Sequence, residues 1–397
     1  MRTIPLLFAL VVGCSTGRDG LYVPGGADLD ARTKRRYREA VRFERNGEPE
    51  RARPIIEDLS RTYPTRLGLH LHRLRLVRAL EGPEAAAALY DPAPPGVDAE
   101  RAGILSDLAR LPADDPAQRK ALLEYAVSRE PQEPFWRLGL ADVGLTTHDL
   151  LVDRARQELA LGDLASHADS LEEARQMIDR AREDAAEAQR LDPQLSEAEL
   201  MLGFIETRAA DLATDPDERD ERRELAITRY KQAIRLDPEA VEARINLAET
   251  MLYFSRFGQA AEALQQASEL APRDPRIWTN LGYTYYSVDQ VGEAIACYRR
   301  ALLYKPGDIR IRVALSDCER QRGNHEAAIG ELLQARADAG EDRGLQATIA
   351  FKLAAIHEFD GRYPKAVAEY ERHIELGGRD SAKARSRIRH IYERAFE

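Results

Sequence analysis

The residue types able to do covalent or metal chemistry are sparse in this chain of 397 residues: three Cys (Cys14, Cys297, Cys318), eight His and many carboxylates. A thiol can act as nucleophile, metal ligand, disulfide partner or point of attachment, and its surroundings decide which. His70 and His72 stand two apart, so on a helix they point to different sides and do not form a metal pair. The sequence contains no H-E-x-x-H, no G-x-S-x-G, no phosphate-cradling glycine loop and no Cys pair at zinc spacing. The carboxylates alternate with Arg at helical spacing and read as solvated i, i+4 partners. The expectation is a protein that is not an enzyme and holds neither metal nor catalytic cofactor.

Charge narrows the partners. A net charge of -10 argues against nucleic acid, because neutralising phosphates requires a dominant basic surface. Two basic clusters lie early, "RTKRRYR" (32–38) and "RLGLHLHRLRLVR" (66–78). One reading of them is attraction to anionic lipid headgroups; the favoured one is solvated helix faces whose Arg stems lie on apolar neighbours. Only seven of the 58 basic residues are Lys; this Arg bias suits a GC-rich genome better than a binding task.

The elements that would position Cys14 come next. Arg2 gives a positive start, and Ile4 to Val12 form an apolar run too short to span a bilayer but suited to a signal-peptide core. Val11-Val12-Gly13-Cys14 then resembles the lipobox of bacterial lipoproteins. The resemblance implies removal of residues 1–13, a diacylglyceryl group and an N-acyl chain on Cys14, and a lipid-anchored product. Several acyl chains hold a protein on a membrane where one would be marginal. Ser15, in place of Asp, leans towards the outer membrane, with the protein facing the periplasm. Residues 14–30 are rich in Gly and read as a flexible tether reaching about 20–24 Å.

The rest of the chain repeats. Pro238, Pro272 and Pro306 are spaced by 34 residues, with Gly340 in the next place. Ala226, Ala260, Ala294 and Ala328 keep this period, as do Ala233, Ala267, Ala301 and Ala335, and Leu247, Leu281 and Leu315. Tyr230, Leu264, Tyr298 and Leu332 fill another register. In the stretch 278–306, Trp278, Leu281, Gly282 and Tyr285 make an apolar stripe with a gap at Gly282 for the partner helix, and Pro306 stops the second helix. Together with Ala294, Tyr298 and Ala301, these residues closely resemble the tetratricopeptide repeat.

That resemblance implies an all-α fold: a right-handed superhelical solenoid of helix pairs with a capping helix at the end. The organisation expected is divergent helical pairs over 31–130, divergent repeats with insertions over 131–240, a regular array over 241–378, and a cap over 379–397. Pro131 to Pro193 leaves about 28 residues beyond one repeat, which predicts longer helices. Pro193 to Pro238 leaves 11, centred on the acidic stretch 211–224. The Pro-rich stretch 90–98 suggests a bend.

In tetratricopeptide arrays the concave face, lined by the first helix of each pair, takes the partner. The resemblance therefore points to Glu242, Ile245, Asn246, Glu249 and Tyr253, then Arg276, Thr279, Asn280, Tyr283 and Tyr286, then Arg310, Val313, Asp317 and Arg320. Tyr and Arg are residues that anchor interfaces. The carboxylate clamp of chaperone-binding relatives is not supplied by Glu249 and Val313. Cys297 and Cys318 lie on helices expected to pack together, and either a disulfide or two buried thiols would satisfy them. The resulting expectation is a lipid-anchored scaffold that binds protein or peptide segments and helps assemble a cell-envelope complex. The alternative is an accessory subunit holding a small ligand or glycan in the same groove.

Overall fold

The computed structural model describes residues 30–112 and 115–395. Cys14, the leader before it and the tether as far as residue 29 lie outside the described residues. Among those described, every regular element is an α-helix. In chain order the helices are α1 (Ala31–Arg45), α2 (Pro49–Thr62), α3 (Leu67–Glu81), α4 (Pro83–Ala88), α5 (Ala99–Arg110), α6 (Pro116–Arg129), α7 (Pro134–Leu161), α8 (Leu164–Leu191), α9 (Ser196–Leu212) and α10 (Pro216–Leu236). They continue with α11 (Val241–Tyr253), α12 (Phe257–Leu270), α13 (Pro275–Ser287), α14 (Val291–Tyr304), α15 (Ile309–Gln321), α16 (His325–Asp338), α17 (Arg343–Phe359), α18 (Tyr363–Glu375) and α19 (Ser381–Ala395).

Two compact units divide this chain. One comprises residues 30–254 with 269–273, the other 255–268 with 274–395. The first holds five successive helix pairs followed by α11; the second holds α12, three further pairs and α19.

Local chemistry sets the helix ends. The helices α2, α6, α8, α10, α12 and α14 all stop two residues before a Pro (Pro64, Pro131, Pro193, Pro238, Pro272, Pro306), because the residue before Pro is driven out of the α region. First helices begin on short acidic caps: the Asp274 carboxylate accepts from the Arg276 N–H, and that of Asp308 accepts from the N–H groups of Arg310 and Ile311.

The pairs are locked by one steric device in both units. A Cβ on Gly282 of α13 would sit 2.7–2.9 Å from the Tyr298 ring of α14, and one on Gly203 of α9 would sit 2.4–2.9 Å from the Tyr230 ring of α10. Both rings are fully buried. The gap read at Gly282 is thus the seat of an aromatic side chain.

The extra length in the first unit is helical. α7 and α8 have 28 residues each, about 42 Å at 1.5 Å per residue, whereas α13 and α14 have 13 and 14. Gly162, in the left-handed region at φ 82°, ends α7, and Asp163 caps α8. Leu161 and Leu164 at this tip are exposed. The acidic stretch 211–224 is also mostly helix, the end of α9 and the start of α10, tied by Arg223 to Asp211 at 2.7 Å and by Arg222 to Glu206 at 3.0 Å. The Pro-rich stretch begins inside the core of the first unit: Tyr90 is buried and shares a hydrogen bond with His70.

Candidate functional site

The residues expected on the partner-binding face divide between the two units. In the second unit, Asn280, Tyr283 and Tyr286 project from α13, Arg310, Asp317 and Arg320 from α15. Thr279 turns back to its own helix, donating to the Pro275 carbonyl at 2.8 Å. Arg276 lies against its cap residue Asp274 at 2.7 Å. Asn280, Tyr283, Val313 and Asp317 are buried, Tyr286 is half-buried, and Arg310 and Arg320 are exposed. Residues 313–319 of α15 are buried on every side, so this helix offers its ends more than its middle.

Lys352 of α17 explains how a carboxylate can sit there. Its ammonium donates to both oxygens of Asp317, at 2.7 and 2.8 Å, and supplies the counter-charge that a buried carboxylate needs. The sequence reading did not include Lys352, although it is one of seven Lys among 58 basic residues. Tyr298, between α13 and α15, adds a second polar feature: its hydroxyl is buried with no hydrogen-bond partner. Burial raises the Tyr283 and Tyr286 phenols, and the charge of Asp317 raises Tyr286 further. These groups can orient and desolvate a bound segment, and the two raised phenols keep their protons near neutral pH.

The two thiols are free and buried, so the disulfide considered for Cys297 and Cys318 is not formed. The reason is rotational. Cys318 packs in the cluster around Tyr298, and Cys297, one residue earlier on α14, points about 100° away from that contact. Burial pushes Cys297 up to about 11 and Cys318 to about 12, which leaves both as unreactive thiols.

In the first unit, Glu242 is exposed, Asn246 and Glu249 are half-buried, and Ile245 is buried in the core. The Asn246 amide donates to the Glu242 carbonyl at 2.7 Å. Arg223 lays its guanidinium 4.0 Å from the centre of the Tyr253 ring, a cation–π contact that already occupies one face. Members of the early basic clusters are likewise tied within the fold: Arg36 pairs with Asp58, Arg38 with Glu239 at 3.8 Å and Arg75 with Glu44, and Arg78 donates to the Leu111 carbonyl at 2.8 Å. His70 bonds Tyr90 and the Pro64 carbonyl, while His72 bonds Tyr37 and Glu44. The two imidazoles therefore point apart and are held separately, as their spacing predicts.

Among the described residues, no group of three or more His, Cys, Asp or Glu is arranged to hold a metal ion, and no helix is long and apolar enough to cross a membrane.

Residues 219–281 and 284–342 each match the tetratricopeptide repeat family. Segments of curated proteins are similar to parts of the chain. The Superkiller protein 3 of Schizosaccharomyces pombe is 24% identical over 123 residues, 30% of this chain and 9% of that protein. The human General transcription factor 3C polypeptide 3 is 34% identical over 110 residues, 27% of this chain and 12% of its own length. The chain thus spans about a tenth of the length of these relatives. Among solved structures, the APC/C hetero-tetramer Cut9-Hcn1 is similar at TM-score 0.52 and 17% identity, over 86% of this chain and 59% of that one. The fold is an all-α solenoid of tetratricopeptide helix pairs. Proteins built from such repeats are in general protein-interaction scaffolds.

Proposed function

We propose that the protein is a non-catalytic scaffold, fastened by lipid on Cys14 to the outer membrane and facing the periplasm. Its second unit captures a protein or peptide segment and so helps to assemble or localise a cell-envelope complex. Pilus, secretion, peptidoglycan and polysaccharide-export machinery are the settings in which such lipoproteins work. The observation that carries the reading is the face shared by successive first helices: Tyr286 beside the buried Asp317 and its half-buried partner Lys352, with Arg310 and Arg320 exposed at its edges. An aromatic ring next to charged groups already held in place suits a peptide backbone with a mixed-charge sequence.

Crosslinking and pull-down from native membranes tests it. Tyr286→Ala with Arg320→Ala should lower partner capture about 10-fold or more while helicity stays intact. Unchanged capture would show that this face is not the binding surface. The anchor is tested separately: the wild-type chain should incorporate labelled palmitate, and a Cys14→Ser chain that still did so would refute lipidation there. The second reading, a small ligand or glycan in the same place, is favoured by one feature, the unpartnered Tyr298 hydroxyl. Saturable glycan binding together with recovery of no protein partner would select it.

A further inference from the structure

Several guanidinium groups elsewhere in the second unit are matched to carboxylates: Arg299 to Glu319 at 2.7 Å, Arg312 to Glu331 at 3.0 Å, Arg336 to Glu369 at 2.9 Å, and Arg362 to Glu326. α19 carries five Lys and Arg against a single Glu, in a chain whose net charge is -10. Ala384, Ile388 and Ile391 turn the helix inward onto the last core cluster, and Arg387 is bound to Glu358 at 2.7 Å. The adjoining face, about 100° around the helix from that apolar stripe, carries Arg385, Arg389 and Tyr392 at i, i+4 and i+7, flanked by His390 and by Arg379 just before the helix. All five are exposed, and none of these cations has a carboxylate against it among the described residues.

We infer that this face docks on an anionic phospholipid surface. Lipid phosphates present charge in a plane, which suits a straight row of cations on a helix whose apolar side is already buried. Each basic group held near such a surface adds a comparable, salt-sensitive increment. A half-exposed Tyr at the end of the row has the amphipathic form that settles at headgroup level. The negative remainder of the chain is repelled by the same surface, so the charge asymmetry itself orients the molecule with α19 towards the lipid. The contact requires no lipid on Cys14 and is separate from the proposed partner-binding face.

The test uses the chain from Ser15 onward, which contains every described residue and lacks Cys14. It is floated with vesicles of phosphatidylethanolamine alone or mixed with phosphatidylglycerol. Binding should need the anionic lipid and weaken as added salt shortens the Debye length from about 30 to about 8 Å. Arg385→Ser with Arg389→Ser should reduce binding about 30-fold with unchanged helicity. Arg180→Ser with Lys231→Ser, which removes the same charge from exposed positions in the first unit, should leave it nearly unchanged. An equal loss in that control pair, or equal binding to neutral vesicles, overturns the inference. So does capture by polyglutamate without vesicle binding, which would give the face to an acidic protein.

Discussion

The two units lock their helix pairs in the same way and differ in what lies beneath the lock. Gly203 with Tyr230 in the first unit, and Gly282 with Tyr298 in the second, bring one helix against another at the distance of a ring. Around the second lock the helices are short and keep the 34-residue period. Around the first they lengthen, and their inner faces carry buried charge. Glu206 is held between Arg182 at 2.9 Å and Arg222 at 3.0 Å, and Glu199 accepts from Arg229 at 3.1 Å. Glu197 is buried too, and burial first, then the nearby charges of Asp237 and Asp192, push it up to about 8. The lesson is that the repeat is a rule for apolar packing. Buried carboxylates occur in both units, but Asp317 and Glu319 of the second are each held by a cation at 2.7 Å, Lys352 and Arg299, whereas Glu197 of the first is raised by burial and brings a pH dependence with it.

The largest expected effect tests that pH dependence. A carboxyl whose folded pKa lies above its unfolded value binds its proton more tightly in the folded state. The stability it contributes is full below about pH 4.5 and is lost as pH rises towards 8. For Glu197 the loss is on the order of 4 kcal/mol over that window. Glu133, raised by burial to about 7, acts in the same sense, and His70, lowered by burial to about 4, acts in the opposite sense as pH falls below 6.5. The clean measurement is therefore the difference between wild type and Glu197→Gln in urea unfolding at pH 5 and pH 8. The variant should be less sensitive to this change, and parallel curves would remove the contrast between the units. The raised thiols of the second unit act only above about pH 9, where the thiols of the unfolded chain ionise while the buried Cys297 and Cys318, at about 11 and about 12, keep their protons.

A smaller effect tests what the units share. Gly203→Ala and Gly282→Ala each place a methyl group inside a buried ring's contact distance, and overpacking of this kind costs about 1–3 kcal/mol. Gly258→Ala, with nothing within 4 Å of its new Cβ, should be neutral or stabilising by up to about 1 kcal/mol. Urea midpoints for the three variants would settle it. A cost in one unit only would show that the lock is not common to both.

Much of this is legible in the amino-acid sequence. The 34-residue registers, the gap at Gly282 and the stops before Pro are local packing rules, and a repeat states them several times over. The 28 surplus residues between Pro131 and Pro193 likewise had only one economical place to go, into longer helices. Other features depend on how closely successive first helices approach, which no single repeat encodes. Ile245, Asn280, Tyr283 and Asp317 are buried for that reason, although their helical phase assigned them to an open face. Lys352 was missed because it lies beyond Gly340, where the Pro register lapses, and pairs with a residue 35 positions away. The disulfide considered for Cys297 depended on a rotation of one residue, since Tyr298 is the neighbour that meets Cys318.

The smallest effect separates the two locks most finely. The Thr207 hydroxyl donates to the Gly203 carbonyl at 3.0 Å, so in the 3.1 Å contact between Tyr230 and Thr207 the phenol is the donor. Tyr298 has no such partner for its hydroxyl. Removing a satisfied buried hydroxyl costs about 1 kcal/mol, whereas removing an unsatisfied one relieves a desolvation penalty. Tyr230→Phe should therefore lower stability by about 1 kcal/mol, and Tyr298→Phe should leave it unchanged or raise it slightly, both read from urea unfolding. Equal costs would mean that the Tyr298 hydroxyl is satisfied in solution after all. The case for a small ligand beside Asp317 would then lose the one feature that favours it.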